Sequence, residues 1–186
     1  PTLAIDLESV SDKMYYVNDV ENGGTYAAYL EGVRLAKQKA VQYLSLFDQD
    51  SVVDLKFINA LRCSLDLNQG VRSLVLIPEV LDQFSKRISP TYNLYGWITT
   101  FWLGRRFGNI SAISSGSTHD VECLNLALSK SAKFWLDFLD HSIFYFYSRF
   151  EKVKIVIINY QLAHNLSISQ KKEVSDWRWD SILKSE

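Results

Sequence analysis

The most regular pattern of apolar positions in the chain runs from Val121 to Phe150. Spacing of three and four residues places one apolar stripe along an α-helix, and no break signal interrupts it here. We therefore predict one long amphipathic helix over residues 121–150, capped by Ser117-Thr118-His119-Asp120. The stripe consists of Val121, Leu124, Leu128, Ala132, Trp135, Leu139, Ile143, Phe146 and Phe150.

Three short apolar runs predict the strands of a sheet. They cover residues 2–7, 73–77 and 153–160, and the last one is rich in β-branched residues. Runs of this kind are typical of strands that are covered on both faces. We expect the long helix to pack on a sheet that contains both the opening segment and the segment around Ile155.

The stretch from residue 14 to residue 47 supports two interpretations. Asn22-Gly23 favours a β-hairpin between residues 14–17 and 25–30. Alternatively, a helix starts near Thr25. In either case the spacing of apolar residues predicts a helix from Val33 to Phe47.

Helix-start signals predict four more helices. Ser51-Val52-Val53-Asp54 matches a capping box, and Pro78 suits the first position of a helix because its missing amide hydrogen would have no partner there. The predicted helices cover residues 51–65, 79–87, 94–107 and a C-terminal stretch that opens at Ser167 or Ser169. The serine-rich stretch from residue 111 to residue 118 is predicted to be a surface loop.

Together these elements predict an α/β fold, in which a small and mostly buried sheet is covered by several helices and helix exceeds strand. A mostly α fold is the alternative. If the hairpin at Asn22-Gly23 forms, the order of the elements resembles the ribonuclease H-like arrangement. A length of 186 residues with 47% apolar content predicts a single compact domain over residues 1–186.

Composition narrows the class of protein. A net charge of -1 argues against a strongly electrostatic nucleic-acid binder. Cys63 and Cys123 are too few for a disulfide framework, which favours a reducing compartment, although one bridge between them stays open. We find neither a membrane-spanning apolar run nor a signal peptide, so we expect a soluble, cytoplasmic protein without membrane contact.

Asp6 and Glu8 are the sharpest candidates for chemistry. Two carboxylates one residue apart at the end of a strand project to the same side, where they could hold Mg²⁺ or Mn²⁺. In its context Leu3-Ala4-Ile5-Asp6-Leu7-Glu8 the pair resembles the first motif of the DEDD-type 3′–5′ exonucleases. The resemblance implies a metal-dependent nuclease, and the candidates to complete its catalytic cluster here are Asp54 or Glu79 together with Asp137 or Asp140. The last aspartate of the family pattern follows a Tyr or His by four or five residues, and neither Asp137 nor Asp140 does. The alternative is a strand that runs out into a polar loop.

Two further groups have both a chemical and a structural interpretation. Asp137, Asp140 and His141 share one face of the predicted long helix, either as part of an acidic cluster or as a solvated face. Cys123 lies four residues after His119 near a helix start, which favours either a Cys-His nucleophilic site or a buried structural thiol.

Aromatic and arginine side chains indicate an interaction surface, because these residue types dominate binding hot spots. We therefore predict an intracellular protein-interaction or regulatory domain without catalytic activity, whose partner is another protein or a second copy of the chain. The metal-dependent nuclease, with nucleic acid as substrate, is the alternative. The proposed partner-binding residues are Trp102, Arg105, Trp177, Arg178 and Trp179.

Overall fold

The computed structural model describes residues 15–17, 19, 21–48, 51–94, 98–100, 109–131, 133–134, 138–149 and 153–163. This part of the chain has an α/β fold in which the helices contain more residues than the strands, as predicted. The elements in chain order are α1 (Gly24–Gln38), β1 (Tyr43–Ser45), α2 (Leu55–Leu67), β2 (Leu74–Leu81), β3 (Arg87–Ser89), β4 (Thr91–Leu94), β5 (Ile98–Thr100), β6 (Asn109–Ser111), β7 (Thr118–Asp120), α3 (Val121–Lys130), α4 (Leu139–Arg149) and β8 (Lys154–Ala163).

Strand β2 is the centre of the larger sheet. Along one edge it pairs in parallel with β8, and the other edge is shared by β7 and β3, which are both antiparallel to it. Strand β1 extends the sheet beyond β7. The strands predicted around residues 73–77 and 153–160 are therefore confirmed, and they lie side by side. The opening segment, which we expected in the same sheet, lies outside the described residues.

Helices cover both faces of this sheet. Val75 and Ile77 of β2 pack against α1, α3 and α4 in one core, whereas Leu74 and Leu76 pack against Phe57 of α2 in a second core. The division follows from the alternation of side chains along a strand. A run that is apolar at every position fits a strand covered on both faces.

The prediction of one continuous helix over residues 121–150 is wrong, because this stretch contains two separate helices. Helix α3 ends at Lys130 and α4 begins at Leu139, after Phe138 with a φ of 67°. Ser131 ends α3, and its side chain donates to the carbonyl of Ala127. The stripe nevertheless identified the core correctly. Its members Leu124, Leu128, Leu139 and Ile143 are fully buried.

The predicted helix over residues 79–87 is also wrong. Strand β2 continues through Pro78 to Leu81, and the carboxylate of Asp82 accepts from the backbone N–H groups of Phe84 and Lys86 in the turn that leads to β3. Pro78 lies at an irregularity in the pairing of β2 with β8. A proline is tolerated there because its missing N–H removes no regular ladder bond.

Three predictions from the first half of the chain also change. The hairpin at Asn22-Gly23 is replaced by α1, so the helix interpretation of that stretch is confirmed, and the ribonuclease H-like order finds no support. The helix predicted as far as Phe47 ends at Gln38. The helix predicted over residues 51–65 is present as α2, but it begins at Leu55 with Asp54 as the N-cap, so the predicted start and the capping role of Ser51 are wrong.

The helix predicted over residues 94–107 is wrong where it can be compared, because residues 98–100 form β5. Strand β4 pairs with β5 on one side and with β6 on the other, forming a second, three-stranded antiparallel sheet. The run Ile98-Thr99-Thr100 is β-branched at each position and favours a strand. None of the helices in the described part of the chain is long and apolar enough to cross a membrane.

Candidate functional site

The serine-rich stretch between β6 and β7 is buried, so its prediction as a surface loop is wrong. The backbone N–H of Leu46 donates to the carbonyl of Ser117 at 2.9 Å, and the N–H of Gly116 donates to the carbonyl of Leu46 at 2.8 Å. Such bonds replace water, which allows a polar loop to lie in the interior. Its buried residues include Ser114, Ser115, Ser117 and Thr118.

Asp140 of α4 holds the middle of this loop. Its carboxylate accepts from the backbone N–H of Ser114 at 3.1 Å and from the Ser114 hydroxyl at 2.5 Å. The hydroxyl of Tyr29 in α1 lies near the same serine. Burial, and then the charge of Asp140, raise the pKa of Tyr29, so its hydroxyl stays protonated. One loop residue thus lies close to two helices.

A second chain of hydrogen bonds passes through His119. The Ser117 hydroxyl donates to the carbonyl of Ser114, so its oxygen can only accept from His119 Nε2, which lies 2.7 Å away. The proton of the neutral imidazole is therefore on Nε2. His119 Nδ1 then accepts from the hydroxyl of Tyr147 at 2.9 Å. Each polar atom of the imidazole has a partner, although the residue has no solvent exposure.

Burial also makes His119 unsuited to acid–base catalysis, and Cys123 unsuited to nucleophilic catalysis, at neutral pH. It lowers the pKa of His119 to about 3 and is the main reason that the pKa of Cys123 rises to about 12. A thiol acts as a nucleophile when it is ionised. The geometry supports the structural interpretation of Cys123, and both Cys63 and Cys123 are free thiols, so the bridge between them is not formed.

A different kind of surface lies at the start of α2. Val52 and Leu55 are 72% and 79% exposed, and Val53 and Ile58 are 43% and 41% exposed. We call these four side chains the α2 apolar surface. Leu55 is the first residue of α2, directly after its cap Asp54, so the four side chains are displayed around one helix end.

A groove of about 760 Å³ borders this surface, between the start of α2 and the sheet. Its two carboxylates are already bonded. Glu79 accepts from Gln161 at 3.0 Å and from Arg87 at 2.9 Å, and these bonds lower its pKa. Asp54 accepts from the backbone N–H of Phe57, which lowers its pKa in the same way. The other lining residues are Lys56, Ile157, Ile158, Asn159 and Tyr160.

The structure does not bring the described members of the predicted acidic cluster together. Glu79 is bonded to Arg87 and Gln161, whereas Asp140 is bonded to Ser114. Within the described ranges, no three His, Cys, Asp or Glu residues are placed to hold a metal ion. The remaining predicted site residues lie outside the described residues; they are Asp6, Glu8, Trp102, Arg105, Asp137, Trp177, Arg178 and Trp179.

Sequence reasoning missed two features of this region. The contact of His119 with Tyr147 joins residues that are far apart in the chain, and no local sequence pattern predicts it. The α2 apolar surface did leave a signal, because Val52, Val53 and Leu55 flank a capping residue instead of following the buried stripe of the helix.

Comparison with known proteins gives no relative for this chain. No protein-family model matches it, no curated protein is significantly similar in sequence, and no solved structure matches the fold.

Proposed function

We propose that this chain is a protein-interaction domain without catalytic activity, and that its contact surface includes the α2 apolar surface. The observation that supports the proposal is that four apolar side chains within residues 52–58 are exposed, namely Val52, Val53, Leu55 and Ile58. Exposed apolar residues scattered singly are ordinary, whereas several at one helix end are a candidate for an interaction site. The proposed partner is another protein, or a second copy of the chain, that presents an apolar surface of its own.

The surface is held in place by the core beneath it. Phe57, in the first turns of α2, is buried and contacts the rings of Phe47 and Tyr160, with centroids 5.3 Å away in each case. The Asp54 cap fixes the end of the same helix. A partner would therefore meet side chains on an ordered backbone, which reduces the entropy lost on binding.

Two leucines at opposite ends of α2 allow a matched test. Leu55 and Leu67 are both 79% exposed, but Leu67 lies away from the α2 apolar surface. Leu→Gln is nearly neutral for helix formation, so both variants should fold like the parent. Because burying a leucine contributes about 1.5–3 kcal/mol, Leu55→Gln should weaken association by about tenfold or more, and Leu67→Gln should not.

Sedimentation of each variant measures self-association, and quantitative affinity capture compares the partners retained by each. Loss of association in Leu55→Gln alone supports the proposal. Equal behaviour of the two variants in both measurements would overturn it.

Truncation at Ser169 tests the proposed contribution of Trp177, Arg178 and Trp179, and substitution of Trp102 and Arg105 tests the other proposed contacts. A cytoplasmic location remains a prediction from composition.

The nuclease alternative has less support. Its described members Glu79 and Asp140 are engaged in other bonds, so it depends on Asp6, Glu8 and Asp137, which lie outside the described residues. It predicts a rise in melting temperature on adding Mg²⁺ or Mn²⁺ that disappears in Asp6→Ala. If neither ion shifts the melting temperature and nucleic acid is not cleaved, this alternative is excluded.

A further inference from the structure

The exposed face of α2 continues from the α2 apolar surface along the helix. Leu55, Ile58 and Arg62 follow one another at steps of three and four residues, so they lie on one side of α2. All three side chains are exposed, whereas Phe57 is buried against the sheet. The side of α2 that faces solvent therefore begins with apolar residues and becomes basic two turns later.

Two opposite charges lie at the ends of this face. Asp54 caps α2, and its hydrogen bond with the backbone N–H of Phe57 lowers its pKa, so the carboxylate is ionised at neutral pH. Arg62, which is always charged, lies about 12 Å further along the helix. Both side chains are exposed. Ile58 lies midway between them, four residues from each, so the face is negative at one end, apolar in the middle and positive at the other.

We infer that a second copy of the chain binds this face, with the two α2 helices antiparallel about a two-fold axis at Ile58. The inference rests on the proposed function and names the partner. About such an axis, residues that lie equally far before and after Ile58 stand at the same level in the two copies. Asp54 of each copy therefore meets Arg62 of the other, and the two Ile58 side chains meet at the axis.

Charge and apolar contacts have different parts in this interface. Exposed ion pairs contribute little to affinity, but they set the orientation and register of the two helices. Leu55, which is 79% exposed, directly follows Asp54 and comes to lie beside the apolar stem of Arg62 from the second copy. Helices packed at the usual distance bury it together with Ile58. The net charge of -1 adds little repulsion between the copies.

Disulfide cross-linking of the full chain tests the position of the axis. Cys63→Ser is the background, and the remaining native thiol, Cys123, is buried. Ile58→Cys in this background should form a covalent dimer on mild oxidation, because the two copies of position 58 meet within the roughly 4.4–6.8 Å between Cα atoms that a disulfide needs. Leu67→Cys is the control. It is the more exposed position, at 79% against 41%, but its two copies stand about 27 Å apart in the antiparallel dimer.

Charge reversal tests the ion pairs. Arg62→Glu places a carboxylate opposite Asp54 in both contacts and should weaken the dimer about tenfold. Arg72→Glu makes the same change of charge at an exposed position outside α2 and should leave the dimer unchanged. A mixture of Arg62→Glu with Asp54→Lys should dimerise like the parent, since both contacts of the mixed dimer again join opposite charges. Restored dimerisation also shows that both variants are folded.

Sedimentation of the parent decides whether the dimer exists. A parent that stays monomeric at its highest soluble concentration would overturn the inference, as would equal cross-linking at positions 58 and 67, or a mixture no more dimeric than its components. The proposed function fails separately. If the parent is monomeric while affinity capture still distinguishes Leu55→Gln from Leu67→Gln, the α2 apolar surface binds a different protein and the proposed function stands.

Discussion

The hydroxyl of Tyr147 donates a hydrogen bond to Nδ1 of His119 across 2.9 Å in the interior of the protein. Tyr147 belongs to α4 and His119 to β7, so the bond ties a helix to the sheet beneath it. The Ser117 hydroxyl oxygen accepts a hydrogen bond from the other ring N–H of the histidine. The same hydroxyl donates to the carbonyl of Ser114 in the loop before β7. Each polar atom in this chain depends on the next for its partner.

Replacing Tyr147 by phenylalanine should therefore destabilise the fold. The ring would still fill its space, but His119 Nδ1 would be buried without a donor, which costs about 1–3 kcal/mol. Chemical denaturation measures this loss as a lower midpoint at an unchanged slope. Tyr145→Phe is the control, because Tyr145 lies on the same helix and is 56% exposed. Similar losses in the two variants would contradict the role given to the buried bond.

Acid should destabilise the protein through His119. Its pKa is about 3 in the folded protein against 6.5 as the ordinary value, so the unfolded chain takes up a proton that the folded protein refuses. The stability from this group is complete above pH 6.5 and is lost as the pH falls toward 3, at about 1.4 kcal/mol per pH unit. Unfolding free energies measured between pH 7 and pH 4 test the size of the effect.

Glutamine at position 119 provides the control. His119→Gln offers a donor and an acceptor at similar positions but has no proton to gain, so its pH dependence should be flatter by about 1.4 kcal/mol per unit below pH 6. NMR titration gives a second measurement that does not need the variant to fold. A His119 ring signal that titrates near pH 6 in the folded protein would be incompatible with this prediction.

The outcome for particular elements shows what the sequence could predict. The strands around Leu76 and Ile157 were predictable because short apolar runs are local signals, and the stripe through Leu124 and Ile143 identified the core. Its continuity was not predictable, because Ser131 and Phe138 end and begin helices without a proline or glycine between them. Pro78 favoured a helix start by local rules and lies instead in a strand, where the pairing with β8 leaves room for it.

The loop from residue 111 to residue 118 shows which part of the candidate site could not be predicted from the sequence. Its serines indicate a surface when only composition is considered. Their burial depends on partners such as Leu46 and Asp140, which are distant in sequence and are brought together by the fold. The α2 apolar surface was within reach of sequence reasoning, since Val52 and Leu55 flank a cap.

Replacing Asp140 by asparagine tests the hold on this loop. An amide has a single oxygen and cannot accept from both the N–H and the hydroxyl of Ser114 with the strength of a carboxylate, so Asp140→Asn should cost about 1–3 kcal/mol. Glu122→Gln removes the same charge from an exposed ion pair with Lys37 and should cost less than about 0.5 kcal/mol. Thermal unfolding at pH 7 compares the two, and equal losses would contradict a special role for Asp140.

Gly116 and Gly70 have almost the same backbone conformation, so alanine substitutions at the two positions distinguish the cost of backbone strain from the cost of close packing. Gly116 and Gly70 have φ values of 77° and 78°, a region that costs an L-residue about 1–2 kcal/mol. A Cβ at Gly70 meets no atom within 4 Å, whereas one at Gly116 would lie 2.8 Å from Pro78 Cγ. The free energy of unfolding of Gly70→Ala should therefore fall only by the cost of the strained backbone. That of Gly116→Ala should fall by about 1–3 kcal/mol more, as expected for overpacking a core. Urea unfolding of both variants measures the difference, and a Gly116→Ala protein as stable as Gly70→Ala would show that the loop does not pack on Pro78.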